Sequence, residues 1–130
     1  MLSILFLLFF THSFSQNEDR TYLAHGHSSG PDYSYSIREI SIHSDSTYTS
    51  KNYQVDNKKE WKNYKQYTPR VSKGFIIRKG KFFILTENKD NPESFFSWTV
   101  KIKDKKLLFF YPNRRGILKR SAVYKRIDAN

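Results

Sequence analysis

No cysteine occurs among the 130 residues. That absence removes a disulfide scaffold, a cysteine zinc site, a thiol nucleophile and a lipidated N-terminal cysteine. Acidic side chains are scarce, with 12 Asp and Glu against 23 Lys and Arg and a formal charge of +11. No apolar run approaches the ~20 residues that a membrane-spanning helix requires, so no transmembrane segment is expected. No amphipathic helical stretch longer than about ten residues competes with the period-2 alternation that recurs along the chain. Disorder is also excluded, because 11 Phe, 9 Tyr and 2 Trp supply too much hydrophobic surface for it. The length fits one domain, given the usual ~100–200 residues.

The first residues stand apart. Leu2 to Phe10 is almost wholly apolar and is followed by Thr11-His12-Ser13-Phe14-Ser15-Gln16. Its length suits the h-region of a secretory signal, with Ser13 and Ser15 at the −3 and −1 positions. Residues 1–15 are therefore expected to be a cleaved signal peptide and residues 16–130 a single exported domain, periplasmic or extracellular. Freedom from cysteine is compatible with either address.

Charge is unevenly placed in that domain. Gln16 to Glu60 carries five basic and seven acidic residues, whereas Trp61 to Asn130 carries eighteen basic and five acidic. Such asymmetry suits a polyanionic partner, namely an acidic surface glycan, a lipid headgroup or a nucleic acid. It also suits solvated strand faces and guarded sheet edges.

Strand-length segments separated by turn residues follow one another every 8–14 residues. Tyr33-Ser34-Tyr35-Ser36-Ile37 alternates, slips in phase at Arg38-Glu39 and resumes at Ile40-Ser41-Ile42, a pattern expected of a β-bulge. Thr47 to Val55 is rich in strand formers. Trp61, Tyr64 and Tyr67 lie three apart, which suits one helical turn or a twisted edge strand; the segment is read as strand or irregular chain, ended by Pro69. Lys79-Gly80 marks a two-residue hairpin between Gly74–Arg78 and Lys81–Glu87. Phe96, Trp98, Val100 and Ile102 should face a core, with Lys101 and Lys103 facing water. Leu107 to Tyr111 is apolar on both faces, which calls for a second layer or closure. The expectation is an all-β fold, an antiparallel meander of about eight or nine strands closing into a barrel or half-barrel.

The chain resembles the small secreted lipocalin-like β-meander proteins of bacterial envelopes. The resemblance rests on Ser13-Phe14-Ser15-Gln16, on Ser44-Asp45-Ser46-Thr47-Tyr48 after an early strand, and on Lys73-Gly74-Phe75-Ile76-Ile77 with Lys79-Gly80-Lys81. A closing Tyr124-Lys125-Arg126-Ile127 completes it. It covers most of the mature chain as a rhythm of strands and turns, and it implies a lipocalin-like barrel outside the cytoplasm.

Candidate sites are few. His25 and His27, at i and i+2, project to one side of an extended segment and are weak candidates for a metal pair, with Asp32, Glu39 or His43 nearest as a third ligand. Ser28, His25 and Asp32 supply the residue types of a hydrolytic triad, but no nucleophile elbow presents the serine. Lys105, Lys106, Arg114, Arg115, Lys119 and Arg120 form the candidate anion-binding set, on the successive turns Lys105-Lys106 and Arg114-Arg115 and the strand that follows. The expected role is a secreted, non-catalytic, monomeric module without cofactor that binds an anionic or small ligand. The alternatives are a small secreted, nuclease-like hydrolase using His25, His27 or His43, and an envelope accessory protein whose charge only confers solubility.

Overall fold

The computed structural model describes residues 19–27, 34–92 and 97–128. The expected signal segment, Ser28, Asp32 and Phe96 lie outside the described residues. The elements are β1 (Arg20–His27), β2 (Tyr35–Ile42), β3 (Thr47–Val55), a 3-10 helix (Lys58–Gln66), β4 (Arg70–Lys79), β5 (Phe82–Thr86), β6 (Ser97–Ile102), β7 (Lys106–Pro112) and β8 (Leu118–Arg126). The eight strands pair antiparallel in chain order, and β8 returns to β1 to close a barrel. The expected all-β meander is therefore the fold.

Alternation decides which side chains enter the lumen. Trp98, Val100 and Ile102 point inward as the sequence suggested, opposite Leu85, Phe109 and Leu107 on neighbouring strands. Tyr22, Ile40, Tyr48 and Tyr124 complete the inner cluster. Lys101 lies on the other face, its ammonium 5.2 and 5.3 Å from the rings of Phe82 and Phe110. That contact covers outward-facing aromatics with a solvated head.

Three local expectations are corrected. Trp61, Tyr64 and Tyr67 belong to a 3-10 helix and its end, not to a strand. With three residues per turn, a spacing of three puts one side of each turn in register, and this stripe packs on Tyr35, Ile37, Tyr53 and Val55. No bulge occurs at Arg38-Glu39, because β2 pairs continuously with both β1 and β3. The slip in hydrophobic phase has another cause: Tyr35 and Ile37 are buried outside the barrel under the helix, whereas Ile40 is buried inside it. The bulge lies instead between β7 and β8, where Phe109 pairs Ala122 and Phe110 pairs Arg120, leaving Ser121 unmatched. The hairpin turn shifts by one residue, since Lys79 pairs Phe82 and the turn is Gly80-Lys81, with Gly80 at φ +62°.

Closure is short and polar. Only Tyr22↔Arg126 and Leu23↔Lys125 join β1 to β8. The C-terminal clasp reinforces them: Ile127 N–H donates to Thr21 O at 2.9 Å, and Thr21 N–H donates to Asp128 Oδ1 at 2.9 Å. Arg126 bridges Asp104 at 2.7 Å and Asp128 at 2.9 Å. This guanidinium holds the Asp128 carboxyl below its ordinary range. Tyr22 donates its hydroxyl to Lys103 O at 2.6 Å, tying the lumen to the β6–β7 turn.

One glycine is required by packing. Gly74 pairs with Tyr48, whose ring lies across it; a Cβ there would sit 2.6 Å from that ring and 2.4 Å from Thr86 O. Gly74→Ala is expected to destabilise the protein by roughly 1–3 kcal/mol, as overpacking does. Urea denaturation measures this, and an unchanged midpoint would contradict the packing described.

Candidate functional site

Antiparallel strands in sequence order put alternate turns at opposite ends. The β2–β3, β4–β5 and β6–β7 turns share the basal end with the clasp. The β3–β4 connection carrying the 3-10 helix, the β5–β6 loop and the β7–β8 turn share the other end, the mouth.

Inward-facing positions near the mouth are polar. Arg38, Asn52 and Arg70 pair directly across β2, β3 and β4, and Ser50 and Ser72 occupy the next inward row. Neighbouring strands lie ~4.8 Å apart, so the two arginine backbones stand about 10 Å apart with Asn52 between them. A cavity of about 440 Å³ is lined by Arg38, Ser50, Asn52, Arg70, Ser72, Glu87 and Trp98. A second recess of about 250 Å³ opens beside Arg38 and Asn52 where β1 and β8 part, lined by Ala24, Gly26, Ala122 and Tyr124 among others.

Arg38 reaches across the lumen, with its guanidinium carbon 5.7 Å from the Trp98 ring centroid. Beneath it the aromatics interlock: Tyr48 and Phe109 each meet Trp98 edge-on at 6.2 Å, and Phe109 lies 4.8 Å from Tyr124. The lumen below is thus filled, and the mouth is a cup rather than a deep channel. Burial pushes the Tyr124 phenol up, and the nearby Arg38 partly offsets this.

Two features of this cup are chemically unfinished. Neither Arg38 nor Arg70 forms an ion pair among the described residues. The Tyr48 hydroxyl and Asn52 Oδ1 are buried without a hydrogen-bond partner among the described residues, whereas the great majority of buried polar atoms in native proteins are paired. The cup can therefore accept an anion at the guanidiniums and a hydrogen-bond donor at Asn52.

None of the sequence-derived candidates lines the larger cup, but His25 and His27 border the second recess beside Arg38. His25 and His27 are on the outer face of β1. His25 Nδ1 is 2.5 Å from the Tyr35 hydroxyl, and its ring stacks on Trp61 at 4.0 Å. The His27 ring meets Tyr35 edge-on at 5.0 Å. His43 lies at the basal end between Asp19 at 2.9 Å and Thr49 at 2.8 Å, so the three histidines do not converge. No cluster of three metal-ligating side chains occurs among the described residues. Glu39 is buried outside the barrel and accepts a hydrogen bond from Tyr64, fastening the helix.

The six basic candidates are all exposed and fall into two groups. Lys105 and Lys106 lie at the basal β6–β7 turn, whereas Arg114, Arg115, Lys119 and Arg120 lie on the β7–β8 hairpin at the mouth end. Sequence reading missed Arg38 and Arg70 because isolated arginines in mixed strands look like solvated positions. The available signal was parity: Arg38 shares its face with Ile40 and Ile42, and Asn52 shares its face with Tyr48.

These features define a small antiparallel β-barrel with a cationic, aromatic-floored mouth. No family model, no curated protein and no solved structure matches the chain.

The unpartnered phenol yields a prediction. Burial first, and the charge of Glu87 second, push Tyr48 up to about 12. Because the unfolded phenol titrates near ~10, its contribution to stability is complete below pH ~10 and lost as pH rises toward that folded value. Tyr48→Phe removes an unsatisfied hydroxyl and is expected to stabilise the protein by about 1 kcal/mol at pH 7. It should also reduce the alkaline loss. Denaturation at pH 7 and pH 11 tests both; a destabilised variant with an unaltered alkaline slope would contradict the reading.

Proposed function

We propose that this chain is an exported, non-catalytic, lipocalin-like barrel of the bacterial envelope that binds a small organic anion in its mouth. The observation that carries the reading is the inward-facing pair Arg38 and Arg70, without carboxylate partners among the described residues, across a 440 Å³ cup. That volume falls within the ~300–1,000 Å³ of small-ligand sites. Guanidinium is suited to carboxylate and phosphate because its planar fork donates two parallel hydrogen bonds. Trp98 supplies a flat apolar wall, and Asn52 Oδ1 supplies an acceptor for a ligand donor. Glu87 at the rim leaves the described lining residues with one net positive charge, favouring a monoanion or a zwitterion over a polyanion. Export rests on the apolar segment with Ser13 and Ser15 before Gln16.

Thermal shift against a panel of small carboxylates and phosphates tests this. A true ligand at 100 times its Kd stabilises the fold by about 2.7 kcal/mol. Arg38→Met should lose most of that shift, since a hydrogen bond to a charged group contributes ~1.5–3 kcal/mol, and Lys51→Met on the outer face of β3 should keep it. Identical shifts in the wild type and Arg38→Met would contradict the assignment.

A further inference from the structure

The β7–β8 hairpin presents an unusual surface. Its pairing continues past the last contact with β6, Thr99↔Phe110, through Tyr111↔Lys119 and Pro112↔Leu118. The tip is built rather than slack. Asn113 Oδ1 accepts hydrogen bonds from Arg115 N–H at 2.9 Å and Ile117 N–H at 3.0 Å. Asn113 N–H donates to Ile117 O at 2.8 Å, and Gly116 takes the left-handed turn at φ +79°. This frame holds large apolar side chains in solvent: Tyr111 is 50% exposed, Ile117 52% and Leu118 36%.

Cations surround them. Arg114, Arg115, Lys119 and Arg120 are exposed and form no ion pair among the described residues. No Asp or Glu occurs anywhere from Lys105 to Ile127. A wholly basic hairpin would serve any polyanion, but exposed Ile117 and Leu118 between those cations carry a different requirement. They need a partner with a negative surface over an apolar interior.

We infer that the β7–β8 hairpin tip docks on a bilayer with anionic headgroups. Ile117 and Leu118 insert at the acyl boundary, Tyr111 lies at headgroup level, and the four cations contact lipid phosphates. A tip this short lies on the membrane and does not span it. The surface potential of anionic lipid favours each nearby cation by about fivefold in partitioning. Two exposed branched side chains add to this only where hydrocarbon is within reach. The hairpin's docking is independent of what the mouth holds, though both occupy the same end of the barrel.

The test is co-sedimentation of the folded protein with vesicles of phosphatidylcholine alone or mixed with phosphatidylglycerol, and heparin affinity at the same salt. The wild type is expected to bind the mixed vesicles and not the neutral ones. Ile117→Ser with Leu118→Ser should lower vesicle binding by about tenfold or more while leaving heparin affinity unchanged. Arg114→Glu with Arg115→Glu should weaken both by more than about 25-fold. All four positions are on the exposed hairpin, so thermal midpoints should stay near the wild type. Failure of the wild type to bind mixed vesicles would overturn the inference. So would equal vesicle binding by the serine variant, which would reduce the hairpin to a charge patch.

Discussion

Burial of the outer face of β2 and β3 beneath the 3-10 helix is the contact on which the rest of the architecture depends. In a small barrel the side chains that fill the lumen ordinarily supply the core. Here Tyr35, Ile37, Tyr53 and Val55 find their cover outside, against Trp61, Tyr64 and Tyr67. The 3-10 segment is broken at the non-helical Asn63 and has weak intrinsic stability, so the packed aromatic stripe and the Tyr64–Glu39 hydrogen bond hold it in place. Each fully buried side chain of this type contributes ~1.5–3 kcal/mol. Hydrophobic burial outside relieves the inner face of the same strand segments from forming core, and those inner positions are Arg38 and Asn52.

The electrostatics of the mouth follow from that exchange. A guanidinium inside a barrel keeps favourable energy only if it is solvated, paired or stacked. Arg38 lies over the Trp98 ring at cation–π distance and opens to the cup, and Arg70 stands at its rim. The floor of Tyr48, Trp98, Phe109 and Tyr124 closes the lumen below. What lies above is a shallow polar site on a rigid frame, with the lateral parting of β1 from β8 as a second approach. The cationic hairpin at the same end adds a surface that can bring the mouth to an anionic environment.

The fold was legible because period-2 alternation survives wherever one face is buried. Trp98-Thr99-Val100-Lys101-Ile102 reads correctly for that reason. β2 misled because burial passes from its outer face at Tyr35 and Ile37 to its inner face at Ile40, which mimics a bulge in one dimension. The segment around Trp61 misled because a spacing of three supports a 3-10 helix only when a partner surface exists, and that surface lies on strands distant in sequence. The site was not legible for a related reason. Arg38, Asn52 and Arg70 become neighbours through register, which is fixed by turns and by closure rather than by local residue type. The basic residues that attracted attention in sequence, Lys105 to Arg120, are divided between two ends by the alternation of hairpins.

The central claim is that the inner face of the mouth is a binding surface rather than a solvated irregularity of the barrel. Native mass spectrometry of the protein, purified from its own host without denaturation, tests it most directly. The expected spectrum shows the chain from Gln16 onward carrying one small anionic adduct, released on activation and lost in Arg38→Met. A spectrum of bare polypeptide for both proteins, with no adduct at any activation energy, would contradict it.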